Sequence, residues 1–472
     1  MALIVEPIYS GGIAQLSYLI GDDSEGVAAV IDPRPDCDVY MELARSKGLA
    51  IRDIFETHIH ADFMSGAREL ASRLGGAVPI RVSGEGGASY GFGVEKISDK
   101  DEFQLGEMRI QVRHTPGHTP EHVSFLVFEG DDESPFAVFS GDTLFVDSVG
   151  RPDLLGEDET EELAEQLYQS IHGFYKELPD GVLLYPGHGA GSACGPDIGN
   201  RMFSTIGFEK EHNAYFACES KEDFVKKVLD AAPEEPRHYR PMKKLNSEGP
   251  PIMGGYPPAE AMTVEAFSSA CENKGNVILD TRSPLAFGSG HIAGSLNIEL
   301  RGEMSVWSGW MLEFNDPIYL VLERDEDLET ALSHLWRTGH TNVIGYLAGG
   351  LEAWLLDGKK VDQVEIIDVH RLHDLVGEIQ ILDVRSESER KGGFVPESEH
   401  LFVPKVREEA ASLLDKKRPV ATYCASGSRA SVAASVLKQE GFESVMTVPG
   451  SWSAWTEAGF EVAKNERRLA SV

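Results

Sequence analysis

The C-terminal half of the 472-residue chain contains an internal repeat of about 100 residues, which constrains the fold more than any other feature. The segment Val277–Arg282 recurs as Gln380–Arg385, and the segment Ala348–Trp354 recurs as Pro449–Trp455. In each copy apolar strands alternate with helical patterns, which is typical of a parallel α/β sheet. The repeat therefore predicts two tandem α/β domains, over residues 259–360 and 361–472.

The two copies differ at the loop where a nucleophile would lie. Copy two has an apolar strand that runs into Cys424, then a loop of small residues with Arg429 and a helix from about Ala430. Loop N–H groups, the helix N-terminus and the Arg429 charge all favour an ionised sulfur. Copy one has the acidic segment 323–327 and no cysteine at this place. We therefore expect copy one to be catalytically inactive scaffolding.

The repeat resembles tandem rhodanese domains, and Cys424 to Arg429 match the Cys-x-x-Gly-x-Arg loop of that family. The resemblance implies that Cys424 carries a persulfide sulfur. It also implies that Arg429 helps to hold this sulfur or an anionic donor such as thiosulfate. Copy two departs from the pattern at residues 393–397, where Gly-Phe-Val-Pro-Glu replaces the Gly-His-Ile-Ala-Gly of copy one.

Short strands and amphipathic helices are predicted throughout residues 1–245, and polar residues follow several of the strands. The ends of strands are where sheets commonly present functional side chains. Helices are predicted at 38–47 and 66–74. The predicted strands are 3–7, 17–21, 27–32, 51–57, 108–113, 123–128, 136–139 and 182–185.

Six residues with metal-binding side chains follow these strands in a fixed order. They are His58, His60, Asp62, His118, Asp142 and His188. Each one alone is more often a hydrogen-bonded loop residue or a turn cap. As an ordered set they resemble the metallo-β-lactamase superfamily, which implies a four-layer αβ/βα sandwich with a metal at one edge of two facing sheets.

Phe63 distinguishes this segment from the binuclear hydrolases of the superfamily. Glyoxalase II has a histidine at the last position of its Thr-His-x-His-x-Asp-His motif, and Phe63 occupies that position here. A second metal ion would lack one nitrogen donor, so a mononuclear site is favoured. Two histidines and one carboxylate suit non-haem Fe(II), whereas zinc held by three histidines is the alternative.

Among superfamily members the segment most resembles the persulfide dioxygenases. This resemblance implies one Fe(II) per chain, held by His58, His118 and Asp142. The remaining positions are expected to orient ligands, hold water or move protons, or to serve as alternative metal ligands: His60, Asp62 and His188.

Cys194 lies in the glycine-rich run 189–195, soon after His188. It is a candidate substrate-handling thiol, with an ordinary loop cysteine as the alternative. A basic cluster follows at residues 237–244, which either balances local acidity or meets the carboxylates or phosphates of a thiol carrier. Residues 246–258 are rich in Gly and Pro and are predicted to form a linker.

The charge of the chain restricts its partners. There are 77 acidic and 43 basic residues, so the net charge of −34 disfavours nucleic acids and anionic membranes. Five widely spaced cysteines do not form a disulfide framework. Without a signal or membrane-spanning segment, a cytoplasmic protein is expected. Homo-oligomers are common among soluble enzymes, so we expect one here.

Together these features predict an enzyme of sulfide and persulfide metabolism. A persulfide of glutathione or another small thiol would be oxidised by O2 to sulfite, and Cys424 would transfer sulfur between thiosulfate, sulfite and the thiol. One alternative is a glyoxalase II-like zinc thioester hydrolase fused to a sulfurtransferase. Another is a C-terminal half that acts only as a sulfur relay or docking module.

Overall fold

The structure is a computed structural model that describes residues 3–464, except for the side chain of residue 157. The outer ends of the first and last predicted domains, residues 1–2 and 465–472, lie outside the described residues. Contacts divide the chain into two compact units. The first comprises Met1–Tyr256 with Ser333–Gly339, and the second comprises Pro257–Leu332 with His340–Val472.

Two six-stranded sheets form the first unit, with their strands in the orders β1-β2-β3-β4-β5-β6 and β12-β11-β10-β9-β8-β7. The strands of the first sheet are β1 (Leu3–Ser10), β2 (Gln15–Asp22), β3 (Val27–Ile31), β4 (Ala50–Phe55), β5 (Ile80–Ser83) and β6 (Glu95–Ile97). Those of the second are β7 (Glu102–Leu105), β8 (Met108–His114), β9 (Val123–Glu129), β10 (Ala137–Gly141), β11 (Leu183–Pro186) and β12 (Ser204–Thr205).

The two sheets face each other and bury one apolar face each in a shared core. Leu16, Tyr18 and Ile20 of β2 share one buried cluster with Ile110 and Val112 of β8. Such a period of two residues places one face of each strand in the central core. The opposite faces of both sheets are covered by helices, which gives the four layers of an αβ/βα sandwich.

Helices cover the outer faces of both sheets. Tyr40 and Leu70 pack on the first sheet, whereas Leu167 and Phe224 pack on the second. These helices are α1 (Asp38–Ser46), α2 (Ala67–Arg73), α3 (Glu157–Gln169), α4 (Ile206–His212) and α5 (Lys221–Ala231). Helix α6 (Tyr239–Glu248) instead contributes Tyr239 to a separate buried cluster with Ala61 and Cys194. Helix α3 continues into a π-helical turn, Ser170–Phe174, and a 3₁₀ turn, Tyr175–Glu177.

Each sequence repeat forms a five-stranded parallel sheet, and the two sheets have the same strand order. Copy one contains β13 (Glu260–Met262), α7 (Val264–Cys271), β14 (Val277–Asp280), α8 (Pro284–Ser289), β15 (Leu296–Asn297), α9 (Met304–Met311), β16 (Ile318–Val321), α10 (Leu328–Arg337), β17 (Val343–Leu347) and α11 (Gly350–Leu356). Copy two contains β18 (Glu365–Ile366), α12 (Val369–Asp374), β19 (Gln380–Asp383), α13 (Glu387–Lys391), β20 (Glu399–His400), α14 (Val406–Leu413), β21 (Val420–Tyr423), α15 (Ser428–Gln439), β22 (Val445–Thr447) and α16 (Ser451–Glu457).

The segment predicted as a linker begins inside α6, which ends at Glu248. Beyond it, the N–H groups of Met253 and Gly254 donate to the carboxylate of the buried Glu69. The Gly- and Pro-rich segment is therefore held against the first unit as far as these residues. The predicted domain boundaries remain predictions.

The secondary structure predicted for residues 1–245 is confirmed within two residues for nine of the ten predicted elements, and the tenth, β1, extends three residues further, to Ser10. All five cysteines are free, as predicted. Within residues 3–464, no helix combines the length and apolar character needed to cross a bilayer.

Candidate metal centre and cysteine loop

The structure brings three of the predicted ligands together at one edge of the facing sheets. His58 follows β4, His118 lies between β8 and β9, and Asp142 directly follows β10. One ligand atom from each lies within 4.8 Å of the others, and all three residues are buried.

The ligand atoms of this group are poorly satisfied by the protein itself. The Asp142 Oδ2 atom lies 3.5 Å from His118 Nε2 and 3.9 Å from His58 Nε2. Among the described residues, neither His58 Nε2 nor Asp142 Oδ2 has a hydrogen-bond partner. Because buried polar atoms are normally paired, these convergent unpaired atoms fit a metal ion.

Neighbouring groups orient both imidazoles. His118 Nδ1 donates to the Arg151 carbonyl at 2.9 Å, and His58 Nδ1 lies 2.9 Å from Thr57 Oγ1. The Thr57 hydroxyl donates its own proton to Asp32, so His58 Nδ1 must be the donor to Thr57. Each ring therefore turns an Nε2 lone pair towards Asp142. Burial lowers the pKa of both rings, which favours the neutral form that binds metals.

Asp142 is held as a carboxylate by His188. Its Oδ1 atom accepts from His188 Nδ1 at 2.9 Å, and Asp62 Oδ2 lies 2.8 Å from His188 Nε2. Burial lowers the pKa of His188, but the charges of Asp142 and Asp62 outweigh it and raise that pKa to about 10. Burial raises the pKa of Asp142, but the charge and hydrogen bond of His188, together with the charges of His118 and His60, outweigh burial and lower that pKa. The Oδ2 atom of Asp142 is thus left for the metal.

Gly141 brings the backbone close enough to form this arrangement. Its φ is +49°, and a Cβ there would lie 2.5 Å from His122 Nε2 and 2.8 Å from Thr57 Cβ. His122 Nε2 accepts the Asp142 N–H at 2.9 Å. A side chain at position 141 would therefore disturb the residue that presents the Asp142 carboxylate.

His60 belongs to a separate buried group. Its Nε2 atom lies 2.9 Å from Glu56 and 3.2 Å from Asp32, and these carboxylates raise the pKa of His60 against the effect of burial. The fully buried ring of Phe63 packs on the imidazole, with ring centroids 4.3 Å apart. The candidate group around Asp142 thus contains two histidines and a carboxylate, whereas His60 Nδ1 has no hydrogen-bond partner among the described residues.

Cys194 joins Asp62 and His188 in a third group of possible ligands within 4.8 Å. Its thiol is buried, and the Tyr239 hydroxyl lies 3.7 Å from the sulfur. Burial and the nearby Asp62 and Asp142 charges raise the pKa of this thiol well above its ordinary value. This environment favours the protonated thiol at Cys194.

Cys424 lies in the loop between β21 and α15. The Gly427 N–H donates to its sulfur at 3.1 Å, and the Cys424 N–H donates to Ser451 Oγ at 3.1 Å. Helix α15 begins at Ser428, directly after the loop. The Gly427 N–H therefore points at the sulfur from the turn that precedes the helix N-terminus.

Arg429 is already paired within copy two. Its two terminal nitrogens donate to the Glu389 carboxylate at 2.6 and 2.7 Å. Burial raises the pKa of Glu389, but Arg429 outweighs it and lowers that pKa to about 2. The Trp307 ring lies 5.7 Å from the Arg429 guanidinium on another side. The predicted contact of Arg429 with an anionic donor remains a prediction.

The corresponding loop of copy one has no cysteine, and its acidic side chain at Asp325 accepts a backbone hydrogen bond from within the same copy. Residues Asp325–Asp327 form a 3₁₀ turn, and the Asp325 carboxylate accepts the Gly349 N–H at 3.1 Å. The predicted lack of catalysis in copy one agrees with this arrangement and remains a prediction.

Comparisons with known families divide the chain in the same way. The profile of the Metallo-beta-lactamase superfamily matches residues 10–188, and that of the Rhodanese-like domain matches residues 263–357 and 368–458. The mitochondrial persulfide dioxygenase ETHE1 of Bos taurus is 33% identical over 215 residues, which are 45% of this chain and 75% of that protein. The chain belongs to the metallo-β-lactamase superfamily. Two rhodanese-like domains follow the metallo-β-lactamase domain, as predicted.

Other relatives show the breadth of the superfamily. The cytoplasmic hydroxyacylglutathione hydrolase of Arabidopsis thaliana is 36% identical over 174 residues, covering 36% of this chain and 62% of that protein. The crystal structure of a metallo-beta-lactamase from Staphylococcus aureus subsp. aureus COL is 34% identical, with a TM-score of 0.66. The match covers 74% of this chain and 99% of the Staphylococcus aureus chain. The predicted fold class is thus confirmed.

Several residues around the metallo-β-lactamase site were not predicted. His122 supports Asp142, and the Arg151 carbonyl orients His118. From α6, Asn246 donates to the carbonyls of His60 and Phe63. His122 follows the Pro-Gly-His-Thr-Pro loop closely enough to be a sequence candidate, whereas Asn246 gives no signal because its partners are more than 180 positions away.

A cavity of about 450 Å³ lies in the metallo-β-lactamase domain beside the loop that carries His58, and Ile59 and Lys243 line it. The Lys243 ammonium is buried and has no hydrogen-bond partner in the described part of the chain. Burial lowers its pKa, and its charge contributes to the lowered pKa of both His58 and His118. The other lining residues are Ser89, Leu154, Leu155, Arg240, Lys244 and Ser247.

Proposed function

We propose that the chain is an Fe(II)-dependent persulfide dioxygenase joined to a rhodanese-type sulfurtransferase. The observation that carries this proposal is the buried group of His58, His118 and Asp142, with Phe63 at the position of a further histidine. Two histidines and one carboxylate with open positions suit non-haem iron. Similarity to persulfide dioxygenases supports the same reaction class.

In this proposal one persulfide, one O2 and one water give one thiol, one sulfite and two protons. The sulfane sulfur is oxidised, O2 is reduced, and the S–S bond electrons leave with the thiol sulfur. Iron(II) bound by the three side chains would supply open coordination positions and redox chemistry. The protein holds both imidazoles as neutral tautomers and, through His188, keeps Asp142 ionised. Burial excludes bulk water from these groups.

The cavity beside the loop that carries His58 is the proposed binding site of the thiol carrier. Arg240, Lys243, Lys244 and Ser247 lie on one face of α6, at spacings of three and four residues. Arg240 is paired with Glu235 at an exposed position, whereas the buried Lys243 ammonium is free for a ligand carboxylate or phosphate. A small anionic thiol such as glutathione fits these properties.

Cys424 would then transfer sulfur. Its thiolate attacks the sulfane sulfur of a persulfide, the donor S–S bond breaks, and the electron pair leaves on the donor thiolate. The proton remains on the transferred sulfur, so the step needs no further reactant. Sulfite can take that sulfur from Cys424 to form thiosulfate, and the reverse reaction uses thiosulfate as the donor.

The dioxygenase proposal is tested with protein purified without oxygen and loaded with Fe(II). We expect iron to bind at one ion per chain and glutathione persulfide to trigger O2 uptake with sulfite release. His118→Ala should lose both, whereas His212→Ala, at an exposed histidine on α4, should retain them. No uptake by the wild type, or full uptake by His118→Ala, would contradict the proposal.

A zinc thioester hydrolase is the second candidate, because hydroxyacylglutathione hydrolases are also among the relatives. Phe63 argues against it, since the second metal ion lacks one nitrogen donor. Zinc-loaded protein with a second ion per chain and turnover of S-lactoylglutathione would favour this candidate. Tight binding of a protein sulfur acceptor without thiosulfate turnover would favour a relay role for the C-terminal half. A cytoplasmic location and a homo-oligomer remain predictions.

A further inference from the structure

Helix α15, which starts at the end of the Cys424 loop, presents one polar stripe to copy one. Its members recur at spacings of three and four residues, so they lie on one face of the helix. Each forms a hydrogen bond with a residue of copy one. The stripe consists of Ser428, Ser431, Ser435 and Gln439.

Asn297 is at the centre of this contact. Its side-chain Oδ1 atom accepts from Ser431 Oγ at 2.5 Å, and its backbone N–H donates to Ser435 Oγ at 3.1 Å. Asn297, Ser431 and Ser435 are each 1% exposed, so water does not compete for these bonds. Buried and fully paired polar groups of this kind specify one geometry, because any displacement leaves a donor or acceptor unpaired.

Asn297 is itself rigidly held within copy one. Its Nδ2 atom donates to the carbonyls of Asp280 and Arg282 at 2.9 and 3.0 Å. It also belongs to β15, which pairs with β14 at Asp280. The equivalent residue of copy two, His400, makes the matching bond to the Arg385 carbonyl, whereas Asn297 also bonds two serines of the other copy. Asn297 therefore joins the sheet of copy one to helix α15 of copy two.

The other end of the stripe leads to the sulfur. Helix α15 begins one residue after Gly427, whose N–H donates to Cys424 Sγ at 3.1 Å. In the first turn of α15, Ser428 lies 3.5 Å from Glu299 of copy one, and Trp307 of copy one faces Arg429. A shift of α15 would thus move the amide that holds the sulfur.

We infer that copy one is a positioning element of the Cys424 site: Asn297 holds α15, and with it the loop around the sulfur, in the geometry for sulfur transfer. This inference rests on the proposed sulfurtransferase function. It gives the copy without a cysteine a defined role, in which Asn297 acts through α15 and does not touch the donor.

The test measures sulfur loading of Cys424 in the full chain. Protein without oxygen is mixed with glutathione persulfide, and the gain of one sulfur atom is followed by intact mass. Ser431→Ala removes the donor to Asn297, and Ser435→Ala is a second, independent variant. Gln439→Ala is the matched control, because it loses its bonds to the Gly294 carbonyl and to Arg407 at the far end of the same helix, away from Asn297 and the sulfur. Urea unfolding midpoints are recorded for each variant.

We expect Ser431→Ala and Ser435→Ala to lower the limiting loading rate by about ten-fold, with the half-saturating donor concentration unchanged. Gln439→Ala should load at the wild-type rate. Equal losses of stability in all three variants, with wild-type loading rates, would show that Asn297 is merely structural and would overturn the inference. If wild-type Cys424 gains no sulfur at all, the proposed sulfurtransferase fails, and the inference fails with it.

Discussion

Among single residues, Phe63 has the largest consequence for the chemistry of the metal centre. It is fully buried against the His60 ring and offers no metal ligand. Asp62 and His188, which lie close by, bond each other at 2.8 Å, and Asp62 Oδ1 has no hydrogen-bond partner within residues 3–464. An imidazole at position 63 would restore the nitrogen donor that the binuclear hydrolases have at this position.

Phe63→His should therefore increase zinc binding towards a second ion per chain. Phe63→Leu, which changes the packing without adding a donor, should bind as much zinc as the wild type. Metal analysis after zinc loading and desalting checks both variants. Burying an imidazole in place of the phenyl ring should also cost about 1–3 kcal/mol of stability. Equal zinc in the two variants would show that position 63 does not control the number of metal ions.

Lys243 makes a second residue-scale prediction about the thiol carrier. Lys243→Gln should raise the KM for glutathione persulfide by about ten-fold, because one charged hydrogen bond to a carboxylate is lost. The KM for an uncharged alkyl persulfide should hardly change. Lys226→Gln, at an exposed lysine of α5, is the control. Similar KM changes for both persulfides would argue against recognition of the carrier's anionic group by Lys243.

At the scale of elements, the end of β10 sets the geometry of the centre. Gly141 and Gly130 both have positive φ, at +49° and +52°, but only Gly141 faces close neighbours where a Cβ would point. Gly130→Ala should cost about 1 kcal/mol through backbone strain. Gly141→Ala should cost about 2–5 kcal/mol, because a clash with His122 and Thr57 is added.

Urea unfolding and metal analysis together test this pair of variants. Gly141→Ala should also bind less iron, since Asp142 follows the displaced residue directly. Gly130→Ala should bind iron like the wild type. If both variants lost the same stability and kept their iron, close packing at the end of β10 would not explain the glycine.

The same elements show how far the sequence alone could predict the site. The resemblance to persulfide dioxygenases predicted that His58, His118 and Asp142 act together and that His60 has a supporting role, and the structure brings the three ligand candidates together. The partners of His60, Asp32 and Glu56, were not predicted, because they meet it only when β3 and β4 are side by side. Side-chain partners from distant segments leave no periodic signal.

Arg429 shows the same limit in the rhodanese half. Its place in the Cys-x-x-Gly-x-Arg loop predicts an anion contact, which remains a prediction, but nothing in the sequence indicated that both terminal nitrogens pair with Glu389, 40 positions earlier. The repeat predicted the parallel sheets of both copies correctly. It could not predict the stripe on α15, because serines at helical spacing are ordinary until Asn297 faces them.

At the scale of the whole molecule, the chain carries two candidate reaction centres built on different folds. The proposed metal centre uses His58, His118 and Asp142, whereas the proposed sulfur transfer uses Cys424. In the proposed scheme the dioxygenase makes sulfite, which is an acceptor for the sulfur on Cys424. In that scheme the chain would catalyse two consecutive steps, from persulfide to sulfite and from sulfite to thiosulfate.

Separate centres predict separable losses of activity. Cys424→Ser should abolish sulfur transfer from thiosulfate to cyanide, yet largely retain O2 uptake when glutathione persulfide is supplied. Its product should be sulfite without thiosulfate, because no thiolate remains to pass sulfur to sulfite. Cys271→Ser, at a half-buried thiol of copy one, should keep both activities. Loss of O2 uptake in folded Cys424→Ser protein would instead mean that persulfide reaches the iron only through Cys424.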